Sequence, residues 1–277
     1  SEMCIRDSHN SLRWRSGVNL VVIAAALVAI TVITNAYSFN LMLRNFRQSL
    51  SSTALIYTEQ ISGKVDKINS GSLELVSLAA SSQNYYTSSP LGRYLTQQDI
   101  LTRLQDRIRY VESSDLYFFY RTDSDELLTA LSNRASTGSS YFWNQYLMLP
   151  PTQPANTWFS VTCNGETWLM CYYNVSQVRV GAAVRAKTLL QSLYADTGLV
   201  QDSGFALAGL DGTIVYSSQP DLMACGTSLA GHIPASLIVE SHTVPEVGTL
   251  LLFRPSSDLL HLSLIHISEP TRLALIS

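Results

Sequence analysis

The sequence predicts an α+β fold, in which an N-terminal transmembrane helix and a long stalk helix precede two antiparallel sheet units. Three observations support this fold class. Residues 17–43 carry no charge and are mostly apolar. The segment after them repeats apolar residues at spacings of three and four, which is the period of a helix. Two strand–turn–strand patterns follow, each built around residues that favour tight turns.

The composition excludes several classes of protein. Of the 277 residues, 46% are apolar and only 14% are charged, whereas about 25% of a typical soluble domain is charged. The net charge of −3 gives no support to nucleic-acid binding, which needs a basic surface. The chain is neither highly charged nor poor in aromatic residues, so intrinsic disorder is excluded as well.

Both ends of the sequence resemble translated sequencing adapter. Residues 1–8 and 262–277 match the two orientations of one inverted adapter element. Such segments are set aside before the fold is considered. We therefore expect the protein proper to lie within residues 9–261 and to be a fragment of a longer chain. The alternative is that the two end peptides match the adapter by coincidence.

Residues 17–43 have the length and composition of a membrane-spanning helix. About 20 apolar residues at 1.5 Å each cross a hydrocarbon core of about 30 Å. Thr31 and Thr34 are compatible with a span because their hydroxyls can bond back to helix carbonyls. A cleaved signal peptide is the alternative. We favour an uncleaved anchor, since Ile33–Ala36 is a poor cleavage site.

The charges beside the span do not decide its orientation. Arg13 and Arg15 precede it, and Arg44 and Arg47 follow it, so the positive-inside count is a tie. However, long polar domains are translocated largely regardless of charge. We therefore expect residues 9–16 to form a cytoplasmic tail and the main domain to lie outside the cell membrane.

Residues 44–112 are predicted to form the stalk and a second helix. Apolar residues recur at helical spacing from Phe46 to Ala79, which predicts an amphipathic helix continuous with the span. The second helix is expected near Thr96–Val111. The stalk either packs against its own domain or forms a homodimer that moves as a signalling lever, and a long helix can do both.

The larger sheet unit is predicted over residues 113–197. Leu116–Tyr120 has a strand composition, and Thr122–Asp125 supplies the turn before a return strand at Glu126–Leu131. A further strand at 177–184 and a connecting helix at 186–195 complete this unit.

The strongest hairpin signal of the chain is Asn164-Gly165, since both central residues of a type I′ turn need positive φ. This turn places Cys163 opposite Glu166 and Val161 opposite Trp168. One sheet face then holds Phe159, Val161, Cys163, Trp168 and Met170.

The smaller sheet unit is predicted over residues 198–255. A strand, a tight turn at Asp211-Gly212 and a second strand occupy residues 204–217. Two more strands follow, at 238–244 and 249–253. A serine cap and an early acid then predict the start of an exit helix at 256–261.

This order of elements resembles the double Cache (PAS-like) extracytoplasmic sensor domains of bacterial transmembrane receptors such as sensor histidine kinases. The resemblance covers residues 44–260, and its most recognisable piece is Phe205–Ser218, which looks like the first hairpin of the membrane-proximal unit. It implies that residues 113–197 form the membrane-distal unit, which binds a small molecule, and that residues 198–255 form the membrane-proximal unit.

Amino-acid-sensing members of that family carry an Arg-x-Trp-Tyr-like element before the central strands. The matching region here, Tyr141–Tyr146, offers Trp143 and Tyr146 as an aromatic wall but contains no Arg. This departure counts against amino-acid binding, because bidentate recognition of a carboxylate is the speciality of Arg. Arg121 is the candidate that could approach from the strand.

The candidate ligand-binding residues share aromatic character or the ability to hold an anion: Tyr120, Arg121, Trp143, Tyr146, Trp158 and Tyr173. Mostly apolar walls with few polar anchors are typical of a small-molecule pocket. The alternative for each aromatic residue is that it fills a core or a dimer face.

The sequence contains none of the common enzyme motifs, such as Gly-x-Ser-x-Gly, a P-loop or His-Glu-x-x-His. Cys163, Cys171 and Cys225 form an odd set without a Cys-x-x-Cys pair, which argues against a disulfide framework or a zinc site. We therefore expect no enzyme activity, no metal and no cofactor in this region.

The leading hypothesis is the small-molecule-sensing region of a truncated transmembrane receptor with a histidine kinase output. A chemotaxis transducer or a diguanylate cyclase would use the same kind of sensor. A membrane-anchored extracytoplasmic enzyme, or a structural protein, is the rival from another class. The expected partners are a small-molecule ligand, the membrane and a second copy of the chain bound through the stalk.

Overall fold

The computed structural model describes residues 3–81, 89–111, 114–132, 155–163, 165–195, 203–230 and 233–257. The chain divides into two units. One is Leu50–Ser256, and the other consists of Ser1–Ser49 with Ser257–Ser277. Each unit is described by itself below.

Helix α1 runs without interruption over Met3–Ser81. Within the described residues it is the one helix long and apolar enough to cross a membrane, and its apolar 18-residue window has a mean hydropathy of 2.4. Thr31 and Thr34 donate hydrogen bonds of 2.8 Å to the carbonyls four residues earlier, as predicted. The prediction that span and stalk form one helix is confirmed.

From Leu50 onward, α1 buries one stripe of side chains. Its members recur every three or four residues, as in an amphipathic helix: Leu50, Ala54, Tyr57, Ile61, Val65, Ile68, Ser72, Leu75 and Ala79. This stripe is therefore buried within the unit Leu50–Ser256.

Helix α2 spans Pro90–Tyr110 and starts six residues before the expected Thr96. The Ser89 side chain caps it by accepting a 3.2 Å hydrogen bond from the Gly92 N–H. Pro90 occupies the first turn, where a missing N–H costs nothing. The helix begins earlier than the periodicity predicts, because Pro90 and Gly92 resemble loop residues in the sequence.

Five antiparallel strands form the larger sheet: β1 Leu116–Arg121, β2 Glu126–Leu131, β3 Phe159–Cys163, β4 Glu166–Val175 and β5 Val178–Arg185. Their order is β2-β1-β5-β4-β3. The predicted register is confirmed, with Cys163 opposite Glu166 and Val161 opposite Trp168. Gly165 has the positive φ of 77° that the turn requires, and Asn164 lies outside the described residues.

The two faces of this sheet have different neighbours. Side chains alternate between the faces along each strand. The outer face carries a buried cluster that includes Leu116, Phe118 and Tyr120. The stalk face packs against α1, where the Tyr117 hydroxyl donates a 3.4 Å hydrogen bond to the Ile68 carbonyl.

Two short helices, α3 Ala186–Leu189 and α4 Gln191–Ala195, stand where one connecting helix was predicted. The Lys64 ammonium of α1 donates a 2.9 Å hydrogen bond to the Leu189 carbonyl. The Leu193 N–H instead bonds the Leu190 carbonyl. At the break, the Leu189 carbonyl therefore accepts a hydrogen bond from α1.

Four antiparallel strands form the smaller sheet: β6 Gly204–Ala208, β7 Ile214–Ser217, β8 Leu237–Val244 and β9 Gly248–Pro255, in the order β7-β6-β9-β8. The predicted turn at Asp211-Gly212 is present, with φ of 75° at Gly212. Ser256 and Ser257 begin a helical turn. The rest of the predicted exit helix lies outside the described residues.

Candidate ligand-binding site

A buried arginine lies among aromatic rings on the outer face of the larger sheet. The register puts Arg179 of β5 opposite Tyr120 of β1. The Arg179 guanidinium carbon is 5.5 Å from the Tyr120 ring centroid and 5.3 Å from that of Tyr172 on β4. The exposed fractions are 9% for Arg179, 4% for Tyr120 and 3% for Tyr172. We call these three residues the Arg179 cluster.

A glycine lets the aromatic side chains of the outer face approach each other closely. Gly181 pairs with Phe118 on one side and with Tyr172 on the other. A Cβ atom at Gly181 would lie 2.8 Å from the Phe118 ring and 2.8 Å from the Tyr172 Cα. It would also lie 2.3 Å from the Cys171 carbonyl oxygen, so a side chain at this position would force the backbone of β4 to shift.

The Arg179 cluster keeps a positive charge in a desolvated place. Burial lowers the pKa of the Arg179 guanidinium, and the two tyrosines act in the opposite direction. Arginine nevertheless stays protonated in proteins at neutral pH. Burial also raises the pKa of the Tyr120 hydroxyl, which donates a 2.5 Å hydrogen bond to Asp125.

The structure places Arg121 away from this cluster. It follows Tyr120 in the same strand, so its side chain starts on the opposite face. The Arg121 guanidinium is bound by Asp123, with Nε–Oδ1 and Nη2–Oδ2 distances of 3.2 and 3.0 Å. An arginine held by its own turn is poorly placed to clamp a ligand on the outer face.

Trp158 and Tyr173 lie toward α1 rather than with Tyr120. The Trp158 ring donates a 3.2 Å hydrogen bond from Nε1 to the Asn69 side chain of α1. Tyr173 follows Tyr172 in β4, so its side chain points to the stalk face. Burial raises the pKa of the Tyr173 hydroxyl to about 12. Trp143 and Tyr146 lie outside the described residues, and the set of ligand contacts stays a prediction.

Sequence reasoning missed Arg179 and Tyr172. The available signal was an arginine between two valines, Val178 and Val180, in a strand whose residues are almost all buried. Arginine is seldom fully buried. An arginine flanked by apolar residues in a strand therefore marks a position at which the fold holds a charge.

Asn69 of α1 contacts both sheet units. Its amide nitrogen donates a 2.6 Å hydrogen bond to Glu246, in the turn between β8 and β9, and its oxygen accepts the bond from Trp158. Nearer the membrane span, Ser51 and His242 of β8 are 3.2 Å apart. Helix α1 is thus tied by side-chain hydrogen bonds to both sheets.

A separate cleft of about 590 Å³ lies between α1 and α2. Four of its five charged side chains form ion pairs, Arg107 with Glu74 and Arg103 with Asp99, and the fifth is Asp106. The Asp99 and Arg103 side chains are more than half exposed. Because most of these charges are paired and solvated, this cleft is a weaker candidate than the Arg179 cluster.

Comparisons with known proteins define the class of fold. No protein-family model matches the sequence, and no curated protein matches it. The periplasmic sensory domain of the Campylobacter jejuni chemoreceptor Tlp1 is similar in structure, with a TM-score of 0.54 and 10% identity over 79% of this chain and 98% of that one. The sensory domain of the Campylobacter jejuni chemoreceptor Tlp3 has a TM-score of 0.50 and 6% identity over 81% and 99% of the two chains.

At such low identities the similarity is one of fold. The fold is that of the extracytoplasmic sensor domains of bacterial receptors. The predicted α+β fold class, a long helix followed by two PAS-like units, is confirmed, as is the resemblance to Cache-type sensors.

Proposed function

We propose that this chain is the extracytoplasmic, small-molecule-sensing region of a membrane-anchored bacterial signalling receptor. One observation carries the proposal: a single helix, Met3–Ser81, contains both the apolar span and the stripe that is buried against the sheets. A ligand that changes the packing of a sheet would therefore act on a helix that enters the membrane. Signalling by a receptor needs a ligand that shifts the population between two conformations in this way.

The ligand site in this proposal is the outer face of the larger sheet. A wall of buried aromatic residues with one fixed polar group is typical of small-molecule sites. The hydrogen bonds of Asn69 to Trp158 and Glu246 offer a physical route from this unit to the smaller sheet.

The finer predictions belong to the same proposal. Residues 9–16 lie in the cytoplasm, a second copy binds through the stalk helix, and the receptor signals through a histidine kinase. We also propose that the region binds its ligand without transforming it. In support, the structures that share this fold are described as sensory domains.

Cysteine labelling of the given sequence tests the membrane topology, with Cys4 in the adapter-like residues 1–8 serving only as a label on the N-terminal side of the span. Cys225 is exposed in the smaller sheet unit, whereas Cys163 and Cys171 are buried. The Cys4→Ser chain should be labelled on intact spheroplasts by a membrane-impermeant maleimide, through Cys225. The matched Cys225→Ser chain should be labelled through Cys4 only after the membrane is permeabilised. The reverse pattern would show that the sensor units face the cytoplasm and would overturn the proposal.

A further inference from the structure

We infer that Asn69 of α1 bridges the two sheet units, and that breaking this bridge is the conformational change through which they communicate. The inference rests on the proposed sensing function and adds the element by which a change in the larger sheet reaches the smaller one. Three side chains form what we call the Asn69 bridge: Asn69 itself, Trp158 before β3, and Glu246 in the turn between β8 and β9.

The chemistry of these side chains determines how the bridge is built. An indole N–H can only donate a hydrogen bond, and a carboxylate can only accept one. The Asn69 oxygen accepts the Trp158 bond at 3.2 Å, and the Asn69 nitrogen donates to Glu246 at 2.6 Å. A side chain with both an acceptor and a donor satisfies these two partners at once. The bridge therefore depends on the amide at position 69.

The turn that carries Glu246 has an unfavourable backbone conformation. Glu246 has a φ of 64°, which residues with a side chain seldom adopt. Two residues later, a Cβ atom at Gly248 would collide with the Ala208 carbonyl oxygen of β6. Such a conformation persists only where the surrounding structure holds it, and here β6 and Asn69 hold it from two sides. Loss of the Asn69 bond therefore allows the turn to change its conformation.

The charge of Glu246 also acts on strand β4 of the larger sheet. Burial raises the pKa of the Cys171 thiol to about 12, and the Glu246 carboxylate adds to this effect. Tyr172 lies in the buried cluster of the outer face, so the adjacent Cys171 points to the stalk face. Strand β4 thus carries part of the proposed ligand wall on one face and a neighbour of Glu246 on the other. A ligand that displaces β4 would therefore change the surroundings of the Asn69 bridge.

Two buried cysteines can report whether the bridge is formed. Cys171 is on the stalk face, and Cys163 belongs to the buried cluster of the outer face. The test uses the full chain in detergent with Cys4→Ser and Cys225→Ser. A maleimide labels it at pH 8, and peptide mass spectrometry assigns the label. Local opening at the bridge exposes Cys171 alone, whereas global unfolding exposes both cysteines, so the pair distinguishes a switch from a loss of stability.

Variants at position 69 break and restore the bridge. Asn69→Ala should raise the labelling rate of Cys171 about tenfold, since a hydrogen bond to a charged group is lost, and should leave the rate of Cys163 unchanged. Asn69→Asp should act in the same way because two carboxylates then face each other, and it serves as the second variant if Asn69→Ala does not fold. Adding Glu246→Gln to Asn69→Asp should restore slow labelling, since an amide then donates to the carboxylate at position 69.

Two further variants separate the arms of the bridge from other contacts of α1. Ser51→Ala is the matched control, because it removes a 3.2 Å contact with His242 of β8 and should leave the Cys171 rate unchanged. Trp158→Phe keeps an aromatic ring but removes the indole N–H. It should speed hydrogen exchange of the Val247 amide, which bonds the Val244 carbonyl within the turn, about threefold, as expected for the loss of one neutral hydrogen bond.

Five results would each overturn the inference. They are an unchanged Cys171 rate in the position-69 variants, a parallel rise at Cys163, an equal rise in Ser51→Ala, no rescue by Glu246→Gln, and unchanged Val247 exchange in Trp158→Phe. None of these results bears on the topology labelling of Cys225 and Cys4. A failed bridge therefore leaves the proposed sensing function standing, and a failed topology test leaves the bridge measurement interpretable.

Discussion

The buried carboxylate of Asp115 is the most informative place to perturb the larger sheet. It is fully buried at the start of β1. It accepts hydrogen bonds from the Arg185 backbone N–H at 2.9 Å, from Arg185 Nε at 3.3 Å and Nη2 at 3.0 Å, and from the Ser132 hydroxyl at 3.1 Å. One side chain thus joins the ends of three strands, β1, β2 and β5.

Asp115→Ala should destabilise the protein strongly. Removing one partner of a buried ion pair costs about 3–5 kcal/mol, because the other charge stays behind without compensation. Here the Arg185 side chain is 17% exposed, and Glu166 lies 3.9 Å from it. Because Glu166 can still partly compensate the charge of Arg185, we expect the free energy of unfolding to fall by about 3 kcal/mol, the lower end of that range. For a unit of this size the melting temperature should fall by roughly 6–12 °C.

Thermal and urea unfolding, followed by circular dichroism, measure this loss. Asp99→Ala is the matched control, since its 3.1 Å pair with Arg103 is exposed, and it should cost only about 0.3–0.5 kcal/mol. Adding Arg185→Met to Asp115→Ala should recover part of the loss, because no unpaired charge then remains. A loss below 1 kcal/mol for Asp115→Ala, or a double variant as unstable as the sum of both single variants, would refute the reasoning.

Three further predictions follow from burial, glycine geometry and a perturbed carboxyl. In the Cys4→Ser chain, Cys225 should react with a thiol reagent at pH 8 in the native state. Cys171 should react only after unfolding, because burial raises its pKa to about 12; native labelling of both would contradict this. Gly181→Ala should lower the free energy of unfolding by about 1–3 kcal/mol through overpacking. Gly63→Ala, where nothing lies within 4 Å of the new Cβ, should raise it by up to about 1 kcal/mol; equal urea midpoints would contradict the contrast. A backbone hydrogen bond holds the pKa of Asp211 below its usual value, so its contribution to stability is complete above about pH 4 and disappears as the pH falls through the folded-state pKa. Acid unfolding should therefore be shallower in Asp211→Asn, and an unchanged acid limb would contradict the assignment.

Local structure was predictable wherever the determining residues are close in sequence. The hairpin register around Val161 and Trp168 followed from a two-residue turn, and it is observed. The return strand Glu126–Leu131 followed from alternation after a polar turn, and its observed bounds are the same. The start of α2 and the break at Leu190 were not predicted, because each depends on a cap or on a contact with another helix.

The candidate site depends on contacts between strands that are distant in sequence. The sequence analysis offers Arg121, which follows Tyr120 in the chain, as the arginine that could approach the ligand from the strand. In a strand, however, adjacent side chains point to opposite faces. Arg179 reaches Tyr120 only because β5 lies between β1 and β4 in the sheet order β2-β1-β5-β4-β3. Strand order is a long-range property that periodicity does not encode.

The sequence by itself determined the apolar span, the amphipathic stalk, the strands and the two tight turns, since each arises from local periodicity or from residues that favour positive φ. The tertiary structure alone decided which arginine faces the aromatic cluster and which helix residue, Asn69, bonds to both sheet units. The physical reason is burial on both faces. Strands β1 and β5 are buried along almost their entire length. Their sequences therefore lack the alternation of polar and apolar residues that would show to which face each side chain points.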